Sequence, residues 1–167
     1  MVQMRPKTAK TMEIVKTNIL VVDDHPIVRD GLTMLINCEK DMTVIARARN
    51  TAGALKAVKK YPIDLAIIDM LFKDTTGVQI TEKIKAMYPR LIVLIFSMSD
   101  KMFHIQQAFK AGARGYITKD ELSEKVVHAI RRVLGGKTYL NQRLSKMFTR
   151  RQLTKLLPPD DHIQKDG

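Results

Sequence analysis

The sequence predicts an α/β domain: a doubly wound five-stranded parallel sheet with an extra C-terminal helix. Two observations predict it. Short apolar runs alternate with segments of helical period, the signature of a βαβ succession. Four of those runs also end in residues that carry chemistry, as strands do where the carboxyl edge of an open sheet forms a site. Asn18-Ile19-Leu20-Val21-Val22 leads into Asp23-Asp24, and Leu65-Ala66-Ile67-Ile68 into Asp69. Leu91-Ile92-Val93-Leu94-Ile95-Phe96 leads into Ser97, and Gly115-Tyr116-Ile117-Thr118 into Lys119.

Taken in order, strands are expected near 18–23, 43–48, 64–69, 91–97 and 115–118, with helices near 26–38, 52–61, 77–88, 101–111 and 121–135. Pro26 suits a first helical turn, where its missing N–H costs nothing. A residue before proline is pushed out of the α region, so the second helix should stop before Tyr61-Pro62 and the third before Tyr88-Pro89. Gly112 and Gly115 bracket the turn into the last strand, and Gly135-Gly136 closes the final helix. That pair marks the expected boundary of the domain, which leaves a mobile basic extension at 1–17, a core at 18–136 and a linker helix and tail at 137–167. In the last segment Asn141 to Leu157 reads as one helix, with Leu144, Met147, Phe148, Leu153, Leu156 and Leu157 as its apolar positions and Pro158-Pro159 as its stop.

Composition narrows the function classes. With 167 residues, 45% hydrophobic and 28% charged, the chain has room for one well-packed domain plus tails. No apolar stretch approaches the roughly 20 residues of a membrane span. Arg5, Lys7 and Lys10 are followed by no apolar core of a secretory signal, and Cys38 has no partner for an internal disulfide. A cytoplasmic protein without membrane contact is the expectation. The net charge of +12 is concentrated in the flanks: residues 18–130 carry 16 Lys+Arg against 13 Asp+Glu, and the rest of the chain 13 against 4. The basicity therefore speaks of what the tails touch.

Singly, each strand-end residue has an ordinary reading. Asp23-Asp24 could cap the following helix, Ser97 could be a turn serine, Lys119 a solvated lysine and Tyr116 a core tyrosine. Jointly they are harder to dismiss, because two carboxylates about 4 Å apart repel by about 4 kcal/mol at an effective dielectric near 20. Three acids on one edge call for a cation, and hard oxygen ligands suit Mg²⁺. The four histidines have no zinc-like spacing, and no Gly-rich phosphate loop occurs.

Over about residues 18–136 the sequence resembles the receiver domain of two-component response regulators, with a flavodoxin-like (CheY-like) fold. The match runs through Val21-Val22-Asp23-Asp24-His25-Pro26, Arg29-Asp30-Gly31-Leu32, Asp64-Leu65-Ala66-Ile67-Ile68-Asp69-Met70 and Phe96-Ser97-Met98-Ser99-Asp100. It ends in Ala108 to Gly112, followed by Ala113-Arg114-Gly115-Tyr116-Ile117-Thr118-Lys119-Asp120. The Asp-Asp-His-Pro start and the Gly-Ala-Arg-Gly-Tyr segment look most like the NarL/FixJ subgroup.

The resemblance implies a role for each position. Asp69 would be the phosphoacceptor. Asp24, Asp69 and the backbone carbonyl of Leu71 would ligate Mg²⁺, with Asp23 acting largely through metal-bound water. Lys119 would pair with Asp69 and then with the phosphoryl oxygens, Ser97 would donate to the phosphoryl group, and Tyr116 would turn inward as Ser97 moves. The donor would be a sensor histidine kinase, the outcome homodimerisation and transcription regulation, and the only reactions catalysed the protein's own phosphorylation and dephosphorylation.

Two features depart from the family pattern. Lys73 and Asp74 replace the usual Pro and Gly after the acceptor, although Gly77 fits the usual later glycine. The stretch from Phe148 to Leu157 resembles the first helix of a helix-turn-helix domain, but the ten residues after it cannot supply a recognition helix, so at most weak, non-specific DNA binding is expected. Two other readings stand beside the switch: a basic nucleic-acid-binding protein that works through its flanks, and a receiver-like interaction module independent of phosphorylation.

Overall fold

The computed structural model describes residues 15–121 and 123–157. Most of the expected N-terminal extension, and the Pro158-Pro159 stop with its polar tail, lie outside them. The elements run β1 (Thr17–Val22), α1 (Pro26–Asn37), β2 (Met42–Ala48), α2 (Thr51–Lys60), β3 (Leu65–Asp69), α3 (Gly77–Met87), β4 (Ile92–Ser97), α4 (Met102–Lys110), β5 (Gly115–Thr118), α5 (Ser123–Leu134), β6 (Tyr139–Leu140), α6 (Gln142–Ser145) and α7 (Arg150–Leu156).

Local chemistry sets these limits. Pro26 opens α1. Asn50 caps α2 by accepting from the Gly53 N–H, and Thr76 with Gln79 forms a reciprocal capping box at α3. Helices α2 and α3 stop at Lys60 and Met87, directly before Tyr61-Pro62 and Tyr88-Pro89. The end of α5 is a Schellman turn: Gly136 takes φ +82°, its N–H reaches the Val133 carbonyl, and the Lys137 N–H reaches that of Arg132.

All strands pair in parallel, in the order β2-β1-β3-β4-β5-β6. Alternate residues of each strand feed opposite cores. Ile19, Val21, Leu65 and Ile67 pack with Leu32 and Ile36 of α1 and with Val126, Ile130 and Val133 of α5. Leu20, Val22, Ala66 and Ile68 pack with Ala54 and Val58 of α2, Ile80 and Ile84 of α3, and Ile105 and Phe109 of α4. Strand order reverses between β1 and β3, so Asp23 and Asp24 lie beside Asp69 at the switch point where open α/β sheets bind ligands.

The C-terminal segment differs from the expectation in two ways. The sheet has six strands where five were expected, because Tyr139 and Leu140 continue it beside Gly115 and Tyr116. The single helix expected over 141–157 is two short ones. Helix α6 ends in i→i+3 bonds from Met147 to Leu144 and from Phe148 to Ser145, and Thr149 then turns extended and caps α7 through a second capping box, with Gln152. Leu144, Phe148 and Leu157 are buried, as their apolar character anticipated, whereas Met147 is exposed.

Candidate functional site

Four strand ends and the loops that follow them build the site. Asp69 is the last residue of β3, a strand buried along its whole length. Close approach by α3 shapes its backbone: the Gly77 N–H donates to the Met70 carbonyl at 2.8 Å, and a Cβ at Gly77 would overlap the Asp69 carbonyl. Only glycine fits there. The loop between them is closed by pairing of Leu71 with Thr76 and by a Phe72 N–H to Thr75 carbonyl bond, so Lys73 and Asp74 project from a tethered turn. They line a cleft of about 1050 Å³ together with Asp24, His25 and Arg49.

Asp23, Asp24, His25 and Asp69 each place one ligand atom within 4.8 Å of the others. Asp23 and Asp69 are buried, at 2% and 5% exposure. Lys119 answers them, its Nζ lying 2.7 Å from Asp23 Oδ2 and 3.3 Å from Asp69 Oδ1. The expected partner was Asp69, but the shorter contact is to Asp23. His25 Nδ1 lies 3.0 Å from Asp23 Oδ1 and 2.9 Å from Asp24 Oδ1. Even so, Asp24 Oδ1 is buried without a hydrogen bond of good geometry. An orphaned carboxylate oxygen at the mouth of an acidic cluster with one buried ammonium is a donor set that fits a hard divalent cation.

Burial pushes the Asp69 carboxyl above the usual carboxylate range. The Lys119 charge opposes that rise, the Asp23 charge adds to it, and the Lys119 and Met70 N–H hydrogen bonds oppose it. The acceptor candidate is thus a carboxylate poorly served by solvent, next to a single ammonium.

Ser97, the last residue of β4, is fully buried, and its Oγ accepts from the Ser99 N–H at 3.0 Å. Tyr116 is also fully buried, with its hydroxyl donating to the Ser99 carbonyl at 2.7 Å. The ring expected to turn inward is therefore already inside. Burial raises its phenol pKa, with hydrogen bonds to Ser97 and Ser99 opposing.

Sequence reasoning singled out Asp23, Asp24, Asp69, Ser97, Tyr116 and Lys119, and the fold brings them to one edge. It missed Ser99, which joins Ser97 to Tyr116 and whose Oγ lies 2.6 Å from His104 Nδ1. The Ser97-Met98-Ser99 pairing at a strand end was the available signal. It also missed Glu121, for which no local signal exists.

The model of the response regulator receiver domain matches residues 19–131 of this chain. The chain belongs to the response regulator receiver domain family. The receiver is 34% identical over 128 residues to "Oxygen regulatory protein NreC" of Staphylococcus epidermidis, a match covering 76% of this chain and 59% of that protein. The chain thus spans less than two thirds of the length of the curated relatives it matches. Among solved structures the receiver is similar to a two-component response regulator of the LuxR family from Aurantimonas, with TM-score 0.75 and 30% identity over 78% of this chain and 94% of that one. It is also similar to the signal receiver domain of the putative response regulator NarL from Mycobacterium tuberculosis, with TM-score 0.70 and 27% identity over 74% and 99%. Among the described residues no helix is long and apolar enough to cross a membrane.

Proposed function

We propose that this receiver accepts a phosphoryl group on Asp69 from a phosphohistidine of a sensor histidine kinase, in the cytoplasm, and regulates transcription through the state of its α4–β5–α5 surface. The observation that supports this most is the Lys119 ammonium set between Asp23 and Asp69 beside the orphaned Asp24 oxygen. In the transfer an Asp69 carboxylate oxygen forms a bond to phosphorus as the phosphorus–nitrogen bond to the donor imidazole breaks, its electron pair staying on that nitrogen. Asp23, Asp24, Asp69 and the Leu71 carbonyl would hold Mg²⁺, which when bound neutralises charge on the phosphoryl oxygens.

The chain's own groups do the rest. Lys119 moves its hydrogen bonding from Asp23 towards the new oxygens, and Ser97 donates its hydroxyl, released from the Ser99 N–H. These are charge-assisted bonds to a group bearing about −1.5 to −2 charges. No turnover substrate is involved, and the receiver is a switch that catalyses only its own modification. Phosphorylation then favours a homodimer. An acyl phosphate is cleaved by hydroxylamine, so the modified protein should lose its phosphoryl group to that reagent at neutral pH. A hydroxylamine-stable adduct would place the group on a hydroxyl and overturn the reading.

A further inference from the structure

The segment Asp23-Asp24-His25-Pro26 holds an imidazole against the acidic cluster. Pro26 keeps the residue before it out of the α region, and His25 is extended, with φ −86° and ψ 115°. The His25 N–H donates to Asp23 Oδ1 at 2.8 Å, and Arg29 Nη1 donates to the Asp23 carbonyl at 2.6 Å, so the backbone on both sides of Asp24 is tied. His25 stands at the N-cap of α1, yet its side chain makes no capping bond. Its Nδ1 meets the carboxylates instead, 3.0 Å from Asp23 Oδ1 and 2.9 Å from Asp24 Oδ1.

We propose that His25 Nδ1 is a metal ligand that makes this cluster a site for a first-row transition divalent ion of the kind imidazole favours, held in preference to Mg²⁺ by the same carboxylates. The proposal rests on the reading of the cluster as a divalent cation site.

The contacts of Nδ1 carry the argument. A ring nitrogen has one hydrogen or one lone pair, so by hydrogen bonding it serves one oxygen and not two. The contact of good geometry goes to Asp23, and Asp24 Oδ1 is left buried without a hydrogen bond. Neighbouring ligands of an octahedral ion bound at about 2.1 Å lie about 3 Å apart, which is the spacing of Nδ1 from each of the two oxygens. Asp23, Asp24, His25 and Asp69 each have a ligand atom inside a 4.8 Å span. Ligand chemistry then sets the preference. Carboxylate, carbonyl and water ligands suit Mg²⁺, whereas an imidazole added to them suits Fe²⁺, Ni²⁺, Cu²⁺ and Zn²⁺. The His25 side chain is 63% exposed and that of Asp24 24%, so an ion reaches them from solvent without opening the buried Asp23–Lys119 pair. Because the carboxylates are shared, an ion held by His25 excludes Mg²⁺ from the phosphorylation site.

The test is calorimetric titration of the full chain, without an affinity tag, with Ni²⁺ and with Mg²⁺, for the wild type, His25→Gln and Asp24→Asn. The wild type should bind Ni²⁺ more tightly than Mg²⁺, and the two ions should compete. His25→Gln should lower the affinity for Ni²⁺ by roughly 10- to 100-fold, a loss that follows removal of even an outer partner of a ligand, and leave that for Mg²⁺ unchanged. Asp24→Asn should weaken both. An equal loss for both ions in His25→Gln would make His25 a support for the carboxylates and overturn the proposal, as would no loss for either. Ni²⁺ binding undiminished in Asp24→Asn would place the ion at another histidine and overturn it too. In the wild type, Ni²⁺ should broaden the ring resonances of His25, a readout that needs no variant to fold, and sharp His25 resonances at saturating Ni²⁺ would contradict ligation. Mg²⁺ binding with no preference for Ni²⁺ would overturn the proposal alone, whereas a chain that binds neither ion would overturn the cation-site reading with it.

Discussion

The Lys119 ammonium lies 2.7 Å from Asp23 Oδ2, closer than to Asp69, although the lysine and its nearer partner are 96 residues apart in the chain. With both side chains at least nine-tenths buried, this contact is what makes an acidic cluster tolerable without a metal. Its loss leaves Asp23 and Asp69 facing each other in a dry site.

Lys119→Ala should therefore destabilise the metal-free protein by about 3–5 kcal/mol, the usual cost of breaking a buried pair, while Mg²⁺ affinity is kept or increased because a competing cation is gone. Denaturant unfolding with and without Mg²⁺ checks both parts. Equal stability of the two metal-free proteins would contradict the account of the site's charge balance.

The pH dependence follows from Asp69. Its folded-state pKa is raised above the unfolded value, so its contribution favours the fold below the unfolded pKa and is lost as pH rises through the folded one. Asp69→Asn is neutral throughout. The melting temperature of the metal-free Asn variant minus that of the wild type should grow as pH rises from acid to neutral. A difference independent of pH would mean that the Asp69 carboxylate is not held at a cost.

Asp24→Asn should weaken Mg²⁺ binding, since it replaces a charged hard ligand by a neutral one at the only orphaned carboxylate oxygen among the described residues. Calorimetric titration of the two proteins decides it, and equal affinities would remove Asp24 from the ligand set.

The basic tail yields a separate expectation. Arg150, Arg151 and Lys155 lie on α7, while Arg143 is occupied by Asp100 and Asp120. DNA binding by this chain should be sequence-independent, with dissociation constants no tighter than about 10⁻⁴–10⁻⁶ M at physiological salt, and fall steeply as salt rises. Titration of unrelated duplexes at several salt concentrations tests it, and tight preference for one sequence would contradict it.

The strand-end residues were legible because alternation of apolar runs with helical segments places every strand's carboxyl end on one edge, whatever the loops do. Asp23, Asp24, Asp69, Ser97 and Lys119 needed only that topology to be brought together. The tail was misread for a local reason: the period of Leu144, Phe148, Leu153 and Leu157 suits one helix, and the Thr149-to-Gln152 capping box that restarts it carried less weight than the apolar spacing. Strand β6 is two residues long, too short to show a period at all. Glu121 was invisible because its four donors come from β5 and from residues 18 and 20 positions further on, and are assembled only by tertiary folding.

The central claim is that Asp69 carries the phosphoryl group, and intact-mass analysis after incubation with acetyl phosphate and Mg²⁺ tests it most directly. The wild type should gain the mass of one phosphoryl group, in a Mg²⁺-dependent manner, and Asp69→Ala should gain none. An adduct of equal yield in Asp69→Ala would contradict it.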